Sequence, residues 1–98
     1  MKLVKIFPSL IDAPFLSLES TLEELGPVCA GFHLDVMDGN FVPYLSWGPK
    51  IVNQIIAATS MPVQVHLMVH HAQELARQFN VRPIDTLIFH ISSGSGII

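Results

Sequence analysis

Apolar and polar residues change period several times along this chain, and each change marks an element. Between Cys29 and Met37 they alternate, with His33, Asp35 and Met37 on one side and Leu34 and Val36 on the other. The stretch after Pro62, running to about Val69, repeats the pattern with Gln64, His66 and Met68 opposite Val65 and Leu67. A period of two belongs to a strand, whose side chains point to opposite faces in turn. Two further strands are predicted, from Lys2 to Leu10 and from Thr86 to Ile91.

Helical spacing fills the intervals. Leu18, Leu22 and Leu25 share one face of a helix expected from about Phe15 to Leu25, with Ser20-x-x-Glu23 as a capping box and Gly26-Pro27 as its stop. A second helix is expected near Gly48-Pro49, proline being suited to a first turn, with Ile51/Val52 and Ile55/Ile56 toward the sheet. Ala72, Leu75, Ala76 and Phe79 fall at i, i+3, i+4 and i+7 and predict a third, from Ala72 to Asn80. A long loop joins Asp38 to Ser46, and the Ser/Gly-rich tail from Ser92 to Ile98 is ambiguous. Strands alternating with helices make an α/β chain of four parallel strands and three helices.

Composition sharpens this picture. Half of the residues are apolar and only 13% are charged, as expected for strands covered on both faces. No run approaches the roughly 18 apolar residues of a membrane span, and Pro62, Gln64 and His66 interrupt the richest stretch. The first seven residues carry two lysines without an adequate apolar core, which makes a poor secretory leader. Cys29 is the single cysteine, so no internal disulfide can form, and a cytoplasmic location is expected. A net charge of −3 without a basic cluster argues against nucleic acid as a partner. A phosphorylated sugar stays compatible, because backbone N–H groups can hold phosphate.

The chemistry sits on the polar faces. His33 and Asp35 on one strand and His66 on another supply two imidazoles and a carboxylate, a donor set suited to a divalent metal. Met37 and Met68 lie one step beyond. In parallel α/β folds, sites form at the C-terminal ends of the strands, where Ser9, Asp35, Met37, His66 and Met68 all fall. Asp38-Gly39 is expected to turn the chain into the loop, glycine permitting a positive φ. His70 and His71 are expected to be solvated at a helix start, and His90 to be structural, on the same face as Ile88.

Pro8-Ser9, the segment His33 to Pro43, Trp47-Gly48-Pro49 and Val65 to Met68 together resemble the ribulose-phosphate 3-epimerase family, over about Pro8 to Ile91. The resemblance implies a (β/α)8 TIM barrel. Such a barrel needs about 250 residues, so this chain of 98 would be an N-terminal half barrel, a single partial domain. It also implies C3 epimerisation of D-ribulose 5-phosphate to D-xylulose 5-phosphate through an enediolate; a relative acting on allulose 6-phosphate shares the motifs. His33, Asp35 and His66 match ligands of one divalent ion, zinc above all, with iron, manganese or cobalt as alternatives. Asp35 matches one of two catalytic acid/bases. Ser9, His66, Met37 and Met68 match substrate-contacting residues, and Phe41-Val42-Pro43 matches a loop beside the site or packs under the barrel rim.

The resemblance also has gaps. The second catalytic aspartate and the glycine-rich phosphate loops belong to the family's second half and have no counterpart here. Ser92 stands where the family usually has glutamate, and Asp12 and Pro14 replace its usual serine and aspartate. The expectation is therefore a homo-oligomer or a fragment of a longer chain. The alternative function is a truncated, catalytically silent half barrel.

Overall fold

The computed structural model describes residues 4–91, so the ambiguous tail from Ser92 and the first residues of the expected first strand lie outside the described residues. The elements are α1 (Leu18–Leu25), β1 (Phe32–Met37), α2 (Pro49–Ala58), β2 (Val63–Met68), α3 (Ala72–Ala76) and β3 (Thr86–Phe89), with short 3-10 turns at Phe15–Ser17 and Gly26–Val28. The three strands form one parallel sheet in the order β1-β2-β3. The fold class is therefore the expected α/β one, and the described residues form only part of a barrel.

The expected first strand is present as a single parallel bridge between Ser9 and His33 rather than as a ladder. His33 N–H donates to the Pro8 carbonyl at 2.9 Å, and Leu10 N–H donates to the His33 carbonyl at 3.0 Å. The next rung toward the N-terminus requires an N–H at position 8, which proline lacks. Gly31 permits the close approach here, since a Cβ at that position would overlap the Phe7 ring and the Pro62 carbonyl.

Alternation in the sequence becomes alternation in burial. Phe32, Leu34 and Val36 of β1 and Val63, Val65 and Leu67 of β2 are buried, while the residues between them are half-buried. The buried face packs with Val52, Ile55 and Ile56 of α2, Leu22 of α1, and Leu10, Val69, Ala72 and Phe79. At about 25 cal/mol per Å² of apolar surface removed from water, this cluster is the main favourable contribution to folding. The other face carries His33, Asp35, Met37, Gln64, His66 and Met68.

Two helices differ from expectation. α1 begins at Leu18, with Pro14 and a 3-10 turn leading into it, so Ser20 lies inside the helix. No capping box forms; Ser17 is the N-cap, and Thr21 Oγ1 donates to the Ser17 carbonyl at 3.0 Å. α3 stops at Ala76 instead of Asn80. Beyond it the backbone tightens to i→i−3 bonds, Gln78 N–H to the Leu75 carbonyl and Phe79 N–H to the Ala76 carbonyl. Asn53 of α2 holds that turn, its Nδ2 donating to the Gln78 carbonyl and its Oδ1 accepting from Asn80 N–H at 2.9 and 2.8 Å. Phe79 is buried nevertheless. α2 begins as expected, with Gly48 as N-cap and Pro49 in its first turn.

Arg82 and Asp85 fasten the end of the sheet opposite the polar cluster. The Asp85 carboxylate accepts from Val63 N–H at 2.8 Å and from the Arg82 side chain at 2.9 and 3.1 Å. Arg82 in turn donates to the carbonyls of Thr59 and Met61 at 2.7 and 2.9 Å. Among the described residues, no helix is long and apolar enough to cross a membrane.

Candidate metal centre

The register of the sheet assembles the cluster. Asp35 pairs with His66, Met37 with Met68, and His33 with Gln64, all on the polar face. Asp35 Oδ1 lies 3.0 Å from His33 Nε2 and 3.0 Å from His66 Nδ1. Ser9 Oγ donates to the other carboxylate oxygen, Oδ2, at 2.9 Å. The two imidazole rings meet edge-on with centroids 5.4 Å apart.

One ligand atom from each of His33, Asp35 and His66 lies within 4.8 Å of the others, so the three can hold a metal ion. The donor chemistry fits a divalent cation of borderline softness, with two imidazole nitrogens and one anionic oxygen and a side left open for further ligands. Burial pushes the Asp35 carboxyl up. The Ser9 hydroxyl, the charge of His33, and hydrogen bonds from His66 and His33 outweigh that and hold it below the usual carboxylate range.

The surrounding loop is organised from the end of β1. Asp38 Oδ1 accepts from the N–H groups of Asn40 and Phe41, both at 2.8 Å, and its Oδ2 accepts from His70 N–H at 2.9 Å. Gly39 follows at φ +76°, the expected turn. Burial raises the Asp38 carboxyl, but those three N–H groups and the charge of His70 hold it low. Ser46 closes the loop, its Oγ donating to the Asp35 carbonyl at 2.6 Å and accepting from Met37 N–H at 2.9 Å.

The structure places His33, Asp35, His66 and Ser9 together. Met37 and Met68 lie side by side one step further along. His70 and His71 are exposed, as expected. His90, expected to be structural, has its Nε2 2.9 Å from His66 Nε2, and the Phe41 ring lies against it with centroids 5.4 Å apart. Parity alone puts His90 on the face of Ile88; the register that sets Ile88 beside His66, and so brings His90 to the cluster, comes from the sheet. Gln64 and Ser46 belong to residue types that mark no chemistry by themselves, and their hydrogen bonds to His33 and to the backbone of β1 appear only in the folded chain.

A parallel α/β sheet that gathers two imidazoles and a carboxylate on one face is the kind of sheet from which (β/α)8 barrels are built. The chain belongs to the ribulose-phosphate 3-epimerase family, whose model, described as "Ribulose-phosphate 3 epimerase family", matches residues 5–96. It is 40% identical over 87 residues to the ribulose-phosphate 3-epimerase of Treponema pallidum (strain Nichols), covering 88% of this chain and 40% of that protein. The ribulose-phosphate 3-epimerase of Bacillus subtilis (strain 168) is 34% identical over 91 residues, covering 90% of this chain and 41% of its own. That of Methanocaldococcus jannaschii is 34% identical over 92 residues, covering 93% and 38%. The chain thus spans about 40% of the length of these curated relatives.

Proposed function

We propose that this chain is the proton-abstracting half of a metal-dependent ketose-phosphate 3-epimerase site, acting on D-ribulose 5-phosphate. The observation that carries this is the Asp35 carboxylate held between two imidazole nitrogens, each 3.0 Å away, on the open face of a family member's sheet. A proton next to a carbonyl is too weakly acidic to remove unaided. When bound by His33, Asp35 and His66, a divalent cation (zinc, iron, manganese or cobalt) supplies Lewis-acid stabilisation of the developing oxyanion. Asp35 keeps an ionised oxygen available to take the C3 proton as general base. Ser9 orients that carboxylate, and Met37 and Met68 line the adjoining apolar wall of the substrate's path.

Inversion at C3 requires a second acid on the opposite face to return a proton. His33, Asp35 and His66 are the one group of three or more metal-capable side chains among the described residues, and they offer a single carboxylate. This favours a second reading for the chain by itself: exchange of the C3 proton without net epimerisation, inversion arising where another half barrel completes the site. The test is incubation of the purified chain with D-ribulose 5-phosphate and zinc in D2O. Deuterium at C3 that disappears with Asp35→Asn supports the assignment. Neither exchange nor D-xylulose 5-phosphate would leave a catalytically silent family member.

A further inference from the structure

Each histidine of the cluster turns one ring nitrogen to Asp35, and the other nitrogen is engaged too. His33 Nδ1 lies 2.8 Å from Gln64 Oε1, an atom that can only accept, so Nδ1 carries a proton and Nε2 is the nitrogen turned to the carboxylate. For His66 the far nitrogen is Nε2, and it meets His90 Nε2 at 2.9 Å with the rings tilted by 35°. His90 is itself set against Phe41, whose backbone N–H is pinned by Asp38.

We propose that His90 is a positioning residue for His66, holding the imidazole so that Nδ1 faces the cluster in either tautomer. This rests on the metal reading above. An imidazole differs from the Gln64 oxygen in that its Nε2 can donate or accept. With no cation bound, His66 Nδ1–H donates to Asp35, and its Nε2 accepts from His90 Nε2–H. Ligation needs the Nδ1 lone pair. The Nδ1 proton of His66 then leaves to water, the shared proton passes from His90 Nε2 to His66 Nε2, and His90 Nδ1 takes one proton from water. Charge and proton count balance, and the N···N hydrogen bond survives the exchange. Partners on the far nitrogen of a metal-binding histidine fix its tautomer and orientation, and losing one typically weakens metal binding about 10- to 100-fold.

Two measurements on the 98-residue chain test this. The first is ¹⁵N NMR of the zinc-free protein, where a scalar coupling across the hydrogen bond between His66 Nε2 and His90 Nε2 is expected. On addition of zinc, His90 should change from the Nε2–H to the Nδ1–H tautomer although it is not a ligand. The second is zinc affinity by calorimetry. His90→Leu should bind at least about tenfold more weakly, while His90→Gln, whose amide can donate or accept near the same point, should bind within a few-fold of the parent; circular dichroism checks that both variants fold. Absence of the coupling, parental affinity in His90→Leu, or equal losses in both variants overturns the proposal. A parent chain that shows the coupling but binds no zinc overturns the metal reading instead, and the positioning role with it.

Discussion

Ser9 reaches Asp35 across the single bridge that joins the first extended segment to β1, its hydroxyl donating to Oδ2 at 2.9 Å. The residue that Pro8 leaves without a continuing ladder thus makes a side-chain connection to the centre of the cluster. Ser9→Ala should cost about 1 kcal/mol of stability and raise the Asp35 pKa toward that of a free carboxyl. The sign follows from linkage. A carboxyl whose folded value is depressed stabilises the fold above its unfolded value and loses that contribution as pH falls through the folded value. In Ser9→Ala the loss begins at higher pH, and an NMR titration of the Asp35 carboxyl carbon in the metal-free chain measures it.

Replacing a cluster histidine tests the metal. Removing the imidazole in His33→Ala or His66→Ala should lower zinc affinity at least about tenfold each, a direct ligand costing no less than a supporting group. Treatment with a chelator should abolish deuterium exchange at C3 in the parent chain while far-ultraviolet circular dichroism stays unchanged, since the core lies on the other face of the sheet. Loss of the fold on chelation would count against this separation.

The opposite end of the sheet should govern stability without touching chemistry. Asp85→Ala leaves Val63 N–H without its acceptor and the Arg82 guanidinium without its counter-charge, and the Asp85 side chain is fully buried. The expected cost is about 3 kcal/mol, a fall in Tm of more than about 10 °C for a domain of this size. Burial raises the Asp85 carboxyl, but hydrogen bonds from Arg82 and Val63 and the Arg82 charge hold it low, so its contribution too is lost on acidification. Thermal melts at two pH values measure both effects.

Gly31→Ala should destabilise by about 1–3 kcal/mol, because the added methyl meets the Phe7 ring and the Pro62 carbonyl. Trimming the ring in a Phe7→Ala background should not restore stability, since the carbonyl belongs to the backbone leading into β2. Urea denaturation of the three variants decides it.

Both sides of the sheet present apolar residues to solvent: Ile84, Phe89 and Ile91 around β3, and Val4 and Ile6 in the segment beside β1. Unpaired strand edges of this kind recruit further strands. Light scattering is expected to show species heavier than the 10.8 kDa chain, and Phe89→Lys should shift them toward monomer. A monodisperse parent monomer would refute this.

The strands around the cluster were legible because side-chain parity alone places His33, Asp35 and His66 on one face and Leu34, Val36, Val65 and Leu67 on the other. What escaped depends on contacts between elements. The segment after α3 is held by Asn53 on a different helix, and α1 starts after the turn that follows Pro14 rather than at the Ser20/Glu23 pattern. The Arg82–Asp85 clamp and the meeting of His90 with His66 require knowing which strands are neighbours and in what register, information that local periodicity does not hold.

That parity has a consequence for how the chain can change. In β1 and β2 every position is either a wall of the core or a member of the polar face, and the two kinds strictly take turns. Inserting or deleting one residue in either strand would send imidazoles and a carboxylate into the apolar layer and present leucine and valine to the open side. No frame slip in these twelve positions can spare the fold while sacrificing the chemistry, or the reverse. Substitution is the only route along which either property can drift alone.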